Sequence, residues 1–89
     1  MANHKQANVV FVDTTADFPN ERRVDKVKYV GENADNQVII RADGAGGDAL
    51  WEANGNQESC DEICIRNAKG IRVEVTGTGT PRVYLYSCP

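Results

Sequence analysis

Residues 70–86 alternate between apolar and polar side chains, turn through a segment of Gly, Thr and Pro, and then alternate again. Before the turn, apolar residues occupy every second position and therefore share one face of an extended strand: Ile71, Val73 and Val75. After the turn, Val83 and Leu85 point to one side and the residues between them to the other. A period of two is typical of β-structure, so the segment predicts two strands joined by a tight turn.

Similar patterns recur along the chain and predict about seven short antiparallel strands. The strand segments are 7–15, 23–31, 36–43, 48–53, 62–67, 70–76 and 82–87. Strands spaced about ten residues apart and separated by Gly/Asn/Asp-rich turns are typical of a β-sandwich. The predicted fold class is therefore all-β, a single small sandwich of jelly-roll-like or immunoglobulin-like type. Only 16–23 and 57–65 can hold a helical turn, and residues 1–6 are expected to form a flexible tail.

Length and charge restrict the function classes. The 89 residues provide for one domain, 1–89, with a modest core. A chain this short buries roughly 60–65% of its unfolded surface, so association with other chains is one way to stabilise it. The formal charge is −3 and basic residues are not clustered, which argues against nucleic acid as a partner. Apolar runs are too short to span a membrane.

The cysteines and the N-terminal segment predict synthesis in a reducing cytoplasm. The first ten residues carry no apolar stretch of signal-peptide length. Cys60, Cys64 and Cys88 are odd in number, which favours free thiols, although a disulfide between two of them stays open. Their C-x3-C spacing with one distant cysteine does not fit a zinc site, so no metal is expected.

No other motif predicts chemistry. His4, the single histidine, lies in the expected tail and has no neighbour suited to catalysis or metal binding. The sequence "DGAGGD" at 43–48 offers two carboxylates without further ligands between them, so a turn explains it better than a calcium loop. The chain is therefore predicted to be no enzyme and to need no cofactor.

The surface residues are more informative than the motifs. Arg82, Tyr84 and Tyr86 alternate with the apolar residues of the last strand and are expected to face outward. Tyrosine combines a large apolar ring with a polar hydroxyl and suits a protein contact. Trp51 in "ALWEA" is the fourth interface candidate, favoured as a core or interface anchor over a sugar-stacking platform.

The order of these segments resembles the small β-sandwich virion proteins of tailed bacteriophages. The resemblance covers roughly residues 8–86 and is carried by "VVFVDTT", "VDKVKYVG", "NQVIIRADG", "ALWE" and "GIRVEVTGTGTPRVYLY". It implies a capsid decoration or cement protein, made in the host bacterial cytoplasm and located on the capsid surface. Its implied partners are the major capsid protein and further copies of itself, as a homotrimer.

The alternative hypothesis is a carbohydrate-binding adhesin module of a virion appendage. This hypothesis requires an exposed Trp51 beside the polar residues Asn54, Asn56 and Gln57.

Overall fold

The computed structural model describes residues 3–6, 8–42, 46–67, 69–79 and 81–87. Within these residues it contains nine β-strands and no helix, which confirms the all-β prediction. Correspondingly, the described part of the chain offers no helix long and apolar enough to cross a membrane. The strands are β1 (His4–Gln6), β2 (Val9–Val12), β3 (Ala16–Phe18), β4 (Arg23–Val30), β5 (Gln37–Ala42), β6 (Ala49–Asn54), β7 (Glu58–Arg66), β8 (Ile71–Thr76) and β9 (Arg82–Tyr86).

The strands form two antiparallel sheets with a regular pairing scheme. One sheet has the order β1-β2-β9-β4-β7 and the other β3-β8-β5-β6. β2 pairs with β9, β3 with β8, β4 with β7 and β5 with β6, so pairing proceeds from the chain ends toward the middle. A long antiparallel hairpin rolled so that successive strand pairs lie alternately in two sheets is a jelly roll. Of the two sandwich types left open by the sequence, the strand order is that of the jelly roll.

The core lies between the sheets and receives the inward side chains of both. The five-stranded sheet contributes Val10, Val12, Val24, Val27, Tyr29, Ile65, Val83 and Leu85, and the four-stranded sheet contributes Val38, Ile40, Ile71 and Val73. The inward orientation of the alternating residues in β8 and β9 is thus confirmed. Valine and isoleucine dominate because β-branched side chains fit the pleated surface well.

Three segments differ from the expectation. The sequence predicts a tail over residues 1–6, whereas His4–Gln6 forms an edge strand on β2. Ala16–Phe18 falls in a region that allowed a helical turn, and it is a strand. Glu58–Arg66 confirms the strand predicted over 62–67 and extends it by four residues into the other such region. Pro19 follows directly after β3, so it ends the strand without interrupting it. These strands lie at sheet edges, where polar residues are tolerated and the apolar alternation is weak.

Some expectations concern residues outside the described part of the chain. Residues 43–45 of the glycine-rich segment and Cys88 lie there. Beside the segment, the amide of Ala42 donates to the carbonyl of Asp48 at 2.9 Å, which joins the last residue of β5 to the residue before β6.

Tyr29 connects the core to one end of the sandwich. Its side chain is fully buried, its hydroxyl donates to the carbonyl of Gly55 at 2.6 Å, and burial raises the pKa of the phenol. Tyr29→Phe keeps the ring but leaves that carbonyl without its donor, so we expect a loss of about 1–2 kcal/mol in the free energy of unfolding, measured by urea denaturation. Tyr86→Phe is the matched control because it makes the same change at a tyrosine that is only half-buried, and it is expected to change stability by less than about 0.5 kcal/mol. Equal losses in the two variants would contradict the prediction.

Candidate functional site

The last strand, β9, separates its side chains into two sets. Val83 and Leu85 are buried in the core, whereas Arg82, Tyr84 and Tyr86 are half-buried on the outward face of the five-stranded sheet. The sequence therefore predicted the sidedness of this strand correctly. Because β9 is the central strand of its sheet, with β2 on one side and β4 on the other, the two tyrosines lie in the middle of that face.

Phe11 joins the tyrosines on the outward face. It is directly opposite Tyr84 in the β2–β9 ladder, while its neighbours Val10 and Val12 point into the core. The rings of Phe11 and Tyr84 meet edge to face, with their centroids 5.2 Å apart. His4 of β1 stacks on Phe11 with a centroid distance of 5.0 Å. Phe11 is consequently buried, although it does not belong to the core.

Two lysines of β4 complete the centre of this face. Lys28 is opposite Tyr84 and Lys26 is opposite Tyr86 in the β4–β9 ladder. The ammonium of Lys26 lies 5.8 Å from the centroid of the Tyr86 ring, within the range of a cation–π contact. We call Phe11, Lys26, Lys28, Tyr84 and Tyr86 the tyrosine–lysine face.

Arg82 lies on the same side of the sheet but at the end of β9. Its Nη1 contacts Oε1 of Glu32 at 3.3 Å. A hydrogen bond to Tyr84, together with the carboxylate of Glu32, raises the pKa of the Arg82 guanidinium. Arg82 thus contacts Glu32 and Tyr84 within the chain, and it lies at the rim of the tyrosine–lysine face.

Trp51 does not lie near the other predicted site residues. It belongs to β6, at the edge of the four-stranded sheet, where it is opposite Ile40 and packs against the core. Its Nε1 donates to Oδ2 of Asp61 on β7 at 3.0 Å, which links the edge strands of the two sheets. Trp51 is therefore half-buried and anchored, which differs from the exposed platform that the adhesin hypothesis requires.

The outward face of the four-stranded sheet has a different character. Glu74 accepts from Nε of Arg41 at 2.8 Å and from Nε of Arg72 at 3.1 Å. Arg72 also contacts Asp17 at 3.2 Å. The hydrogen bonds from Arg41 and then Arg72 hold the pKa of Glu74 below its usual range. These charges satisfy one another within the chain, so this face offers a partner fewer unpaired groups.

The described residues that bear reactive groups do not converge on one place. Cys60 and Cys64 are free, exposed thiols on β7. Within the described ranges, His, Cys, Asp and Glu form no group of three or more that can hold a metal ion. What the site residues can do chemically is to bury aromatic rings and to present ammonium groups.

Comparison with protein-family models, with curated proteins and with solved structures gave no match. The fold and the face together define an all-β jelly-roll domain with an aromatic and cationic patch on one sheet. Phe11 is the member of this patch that the sequence did not reveal, because "VVFV" is apolar at every position and hides the alternation. The outward positions of Lys26 and Lys28 follow from the alternation in β4.

Proposed function

We propose that the chain is a non-enzymatic structural protein of a tailed-phage virion, which binds the outside of the capsid as a decoration protein. The observation that carries the proposal is the tyrosine–lysine face. Three aromatic rings lie side by side on the outer side of a sheet, and no further layer of described residues covers the half-buried Tyr84 and Tyr86. A partner surface would bury these rings completely, and buried tyrosines are frequent hot spots of protein interfaces.

The fold is compatible with this role. Jelly rolls occur in viral capsid proteins and in lectins, although a fold does not by itself specify a function. The acidic net charge of −3 favours a position on the capsid exterior, away from the packaged genome. The resemblance to phage decoration proteins supports the major capsid protein as the partner and assembly of the chain as trimers on the shell.

The adhesin hypothesis receives less support. It depends on a Trp51 ring free to stack on a sugar, and this ring packs against the core while its Nε1 is bonded to Asp61. A glycan array would nevertheless detect carbohydrate binding directly, and strong binding there would favour the adhesin.

The test of the proposal is binding to empty capsids of the phage whose genome carries the gene. Tyr84→Ala combined with Tyr86→Ala removes both rings, so we expect capsid binding to weaken roughly 30-fold or more in a sedimentation assay. Ile39→Ala is the matched control because Ile39 is a half-buried apolar residue on the outward face of the other sheet, and it should bind as the wild type does.

Folding of each variant is checked by circular dichroism. If the double variant loses its β-structure, Tyr86→Ala alone serves as the test, since Tyr86 lies at the end of β9, and a loss of roughly tenfold is expected. Unchanged capsid binding by a folded variant would show that this face is not the contact.

A further inference from the structure

Lys26 and Lys28 differ from most cations of the chain in their electrostatic partners. Six basic side chains each contact a carboxylate within the described structure: Lys5, Arg23, Arg41, Arg66, Arg72 and Arg82. Neither Lys26 nor Lys28 makes an ion pair with any of the described residues. Among the described residues, the tyrosine–lysine face therefore presents two ammonium groups that no carboxylate contacts within ion-pair distance.

The backbone holds these two ammonium groups near each other. Lys26 and Lys28 are two residues apart on β4 and point to the same side, which places their Cα atoms about 6.5–7 Å apart. Glu62 is opposite Lys26 on β7, yet these two described side chains do not form an ion pair.

The surroundings determine which anion fits. Tyr84 and Tyr86 lie directly beside the lysines and exclude water when covered, which strengthens any charge pair at their edge. On the other side, β7 presents the carboxylates of Glu58 and Glu62 along the same face. A phosphate backbone that ran across the sheet would meet these acids. Single carboxylates placed over the lysines would avoid them.

We propose that the tyrosine–lysine face recognises an acidic protein surface, in which Asp or Glu side chains contact Lys26 and Lys28 while apolar groups cover the aromatic rings. This inference rests on the proposed capsid-binding function and adds the charge of the partner surface. It predicts that the contact surface on the major capsid protein is acidic, although the chain itself is acidic overall.

The test reverses the two charges. Lys26→Glu combined with Lys28→Glu replaces two attractive contacts by two repulsive ones, and we expect capsid binding to weaken roughly tenfold or more. Arg22→Glu combined with Lys69→Glu is the matched control. It makes the same change in net charge at two exposed residues outside this face, and its binding should stay within roughly twofold of the wild type.

Salt provides a second readout. Wild-type binding should weaken as NaCl rises from about 50 to 500 mM, because screening reduces attraction between exposed charges. Lys26→Gln combined with Lys28→Gln removes the charges without adding repulsion, so its binding should depend less on salt. This variant also keeps the inference testable if the charge reversal disturbs folding.

The outcomes separate the inference from the proposed function. Suppose that Tyr84→Ala with Tyr86→Ala abolishes capsid binding while the lysine variants bind as their control does. The tyrosine–lysine face then contacts the capsid, but the inference that the contacted surface is acidic is wrong. If neither set changes binding, the proposed contact itself is wrong.

A single-stranded (dT)10 oligonucleotide is titrated in parallel by fluorescence anisotropy. Binding of this oligonucleotide that is lost in the lysine variants would overturn the inference in favour of nucleic acid.

Discussion

Gly70→Ala is expected to lower the free energy of unfolding by about 3 kcal/mol or more. Gly70 lies in the turn between β7 and β8 with a φ of 87°, in the left-handed region that residues with a Cβ rarely adopt. A Cβ at this position would also lie 2.3 Å from the carbonyl oxygen of Phe18 and 2.5 Å from the Cα of Pro19. Both contacts are to backbone, which cannot rotate away. The cost therefore combines about 1–2 kcal/mol of backbone strain with about 1–3 kcal/mol of overpacking.

Gly55→Ala separates these two contributions. Gly55 has a similar φ of 91°, but the nearest atom to a Cβ there is Nε2 of the flexible Gln57 side chain at 3.9 Å. We therefore expect this variant to lose only about 1–2 kcal/mol from the backbone conformation. Urea denaturation of both variants measures the difference. A loss at Gly70 no larger than that at Gly55 would show that the turn shifts easily and that the contact argument is wrong.

The fold could be predicted from the sequence where strands bury one face. In β8 and β9, Ile71, Val73, Val83 and Leu85 alternate with polar residues because one side of each strand meets the core and the other does not. At the sheet edges this signal fails. β1 carries no apolar residue, so its sequence shows no alternation, and its backbone pairing to β2 is what makes it a strand. The order of the strands in each sheet could not be predicted from the sequence either. Alternation indicates which face of a strand is buried, but it does not indicate which strands are neighbours.

The candidate site was predicted in part for the same reason. The outward orientation of Tyr84 and Tyr86 follows from the period of β9 alone. Trp51 shows the opposite case, because its position depends on a contact with Asp61 that lies on the other sheet. Contacts between sheets are set by tertiary packing, which local periodicity does not encode. Phe11 required the register of β2 against β9, which only the folded sheet supplies.

Asn36 joins three loops at one end of the sandwich. It is 1% exposed, and its Oδ1 accepts from the amides of Glu32 and Asn33, each at 2.8 Å. Its Nδ2 donates to the carbonyl of Thr78 at 2.6 Å, which reaches the turn between β8 and β9. Its own carbonyl accepts from the amide of Gly55 at 2.9 Å, in the turn between β6 and β7. A buried side chain that satisfies several backbone groups contributes more to the stability of the fold than a single hydrogen bond at the surface does.

Asn36→Ala removes the side-chain bonds that hold the β4–β5 loop and the β8–β9 turn. It leaves the amides of Glu32 and Asn33 without their acceptor, whereas the carbonyl of Thr78 still accepts from Nδ2 of Asn33 at 2.9 Å. With each unsatisfied buried group costing about 1–3 kcal/mol, and some of these groups able to recruit water, we expect a net loss of about 3 kcal/mol in the free energy of unfolding. Asn56→Ala is the control, since Asn56 is exposed in the neighbouring turn, and its stability should change by less than about 0.5 kcal/mol. Urea denaturation gives both values, and amide hydrogen exchange at Glu32 and Asn33 should accelerate only in the Asn36 variant. Similar stability losses in the two variants would show that water replaces the Asn36 side chain at little cost.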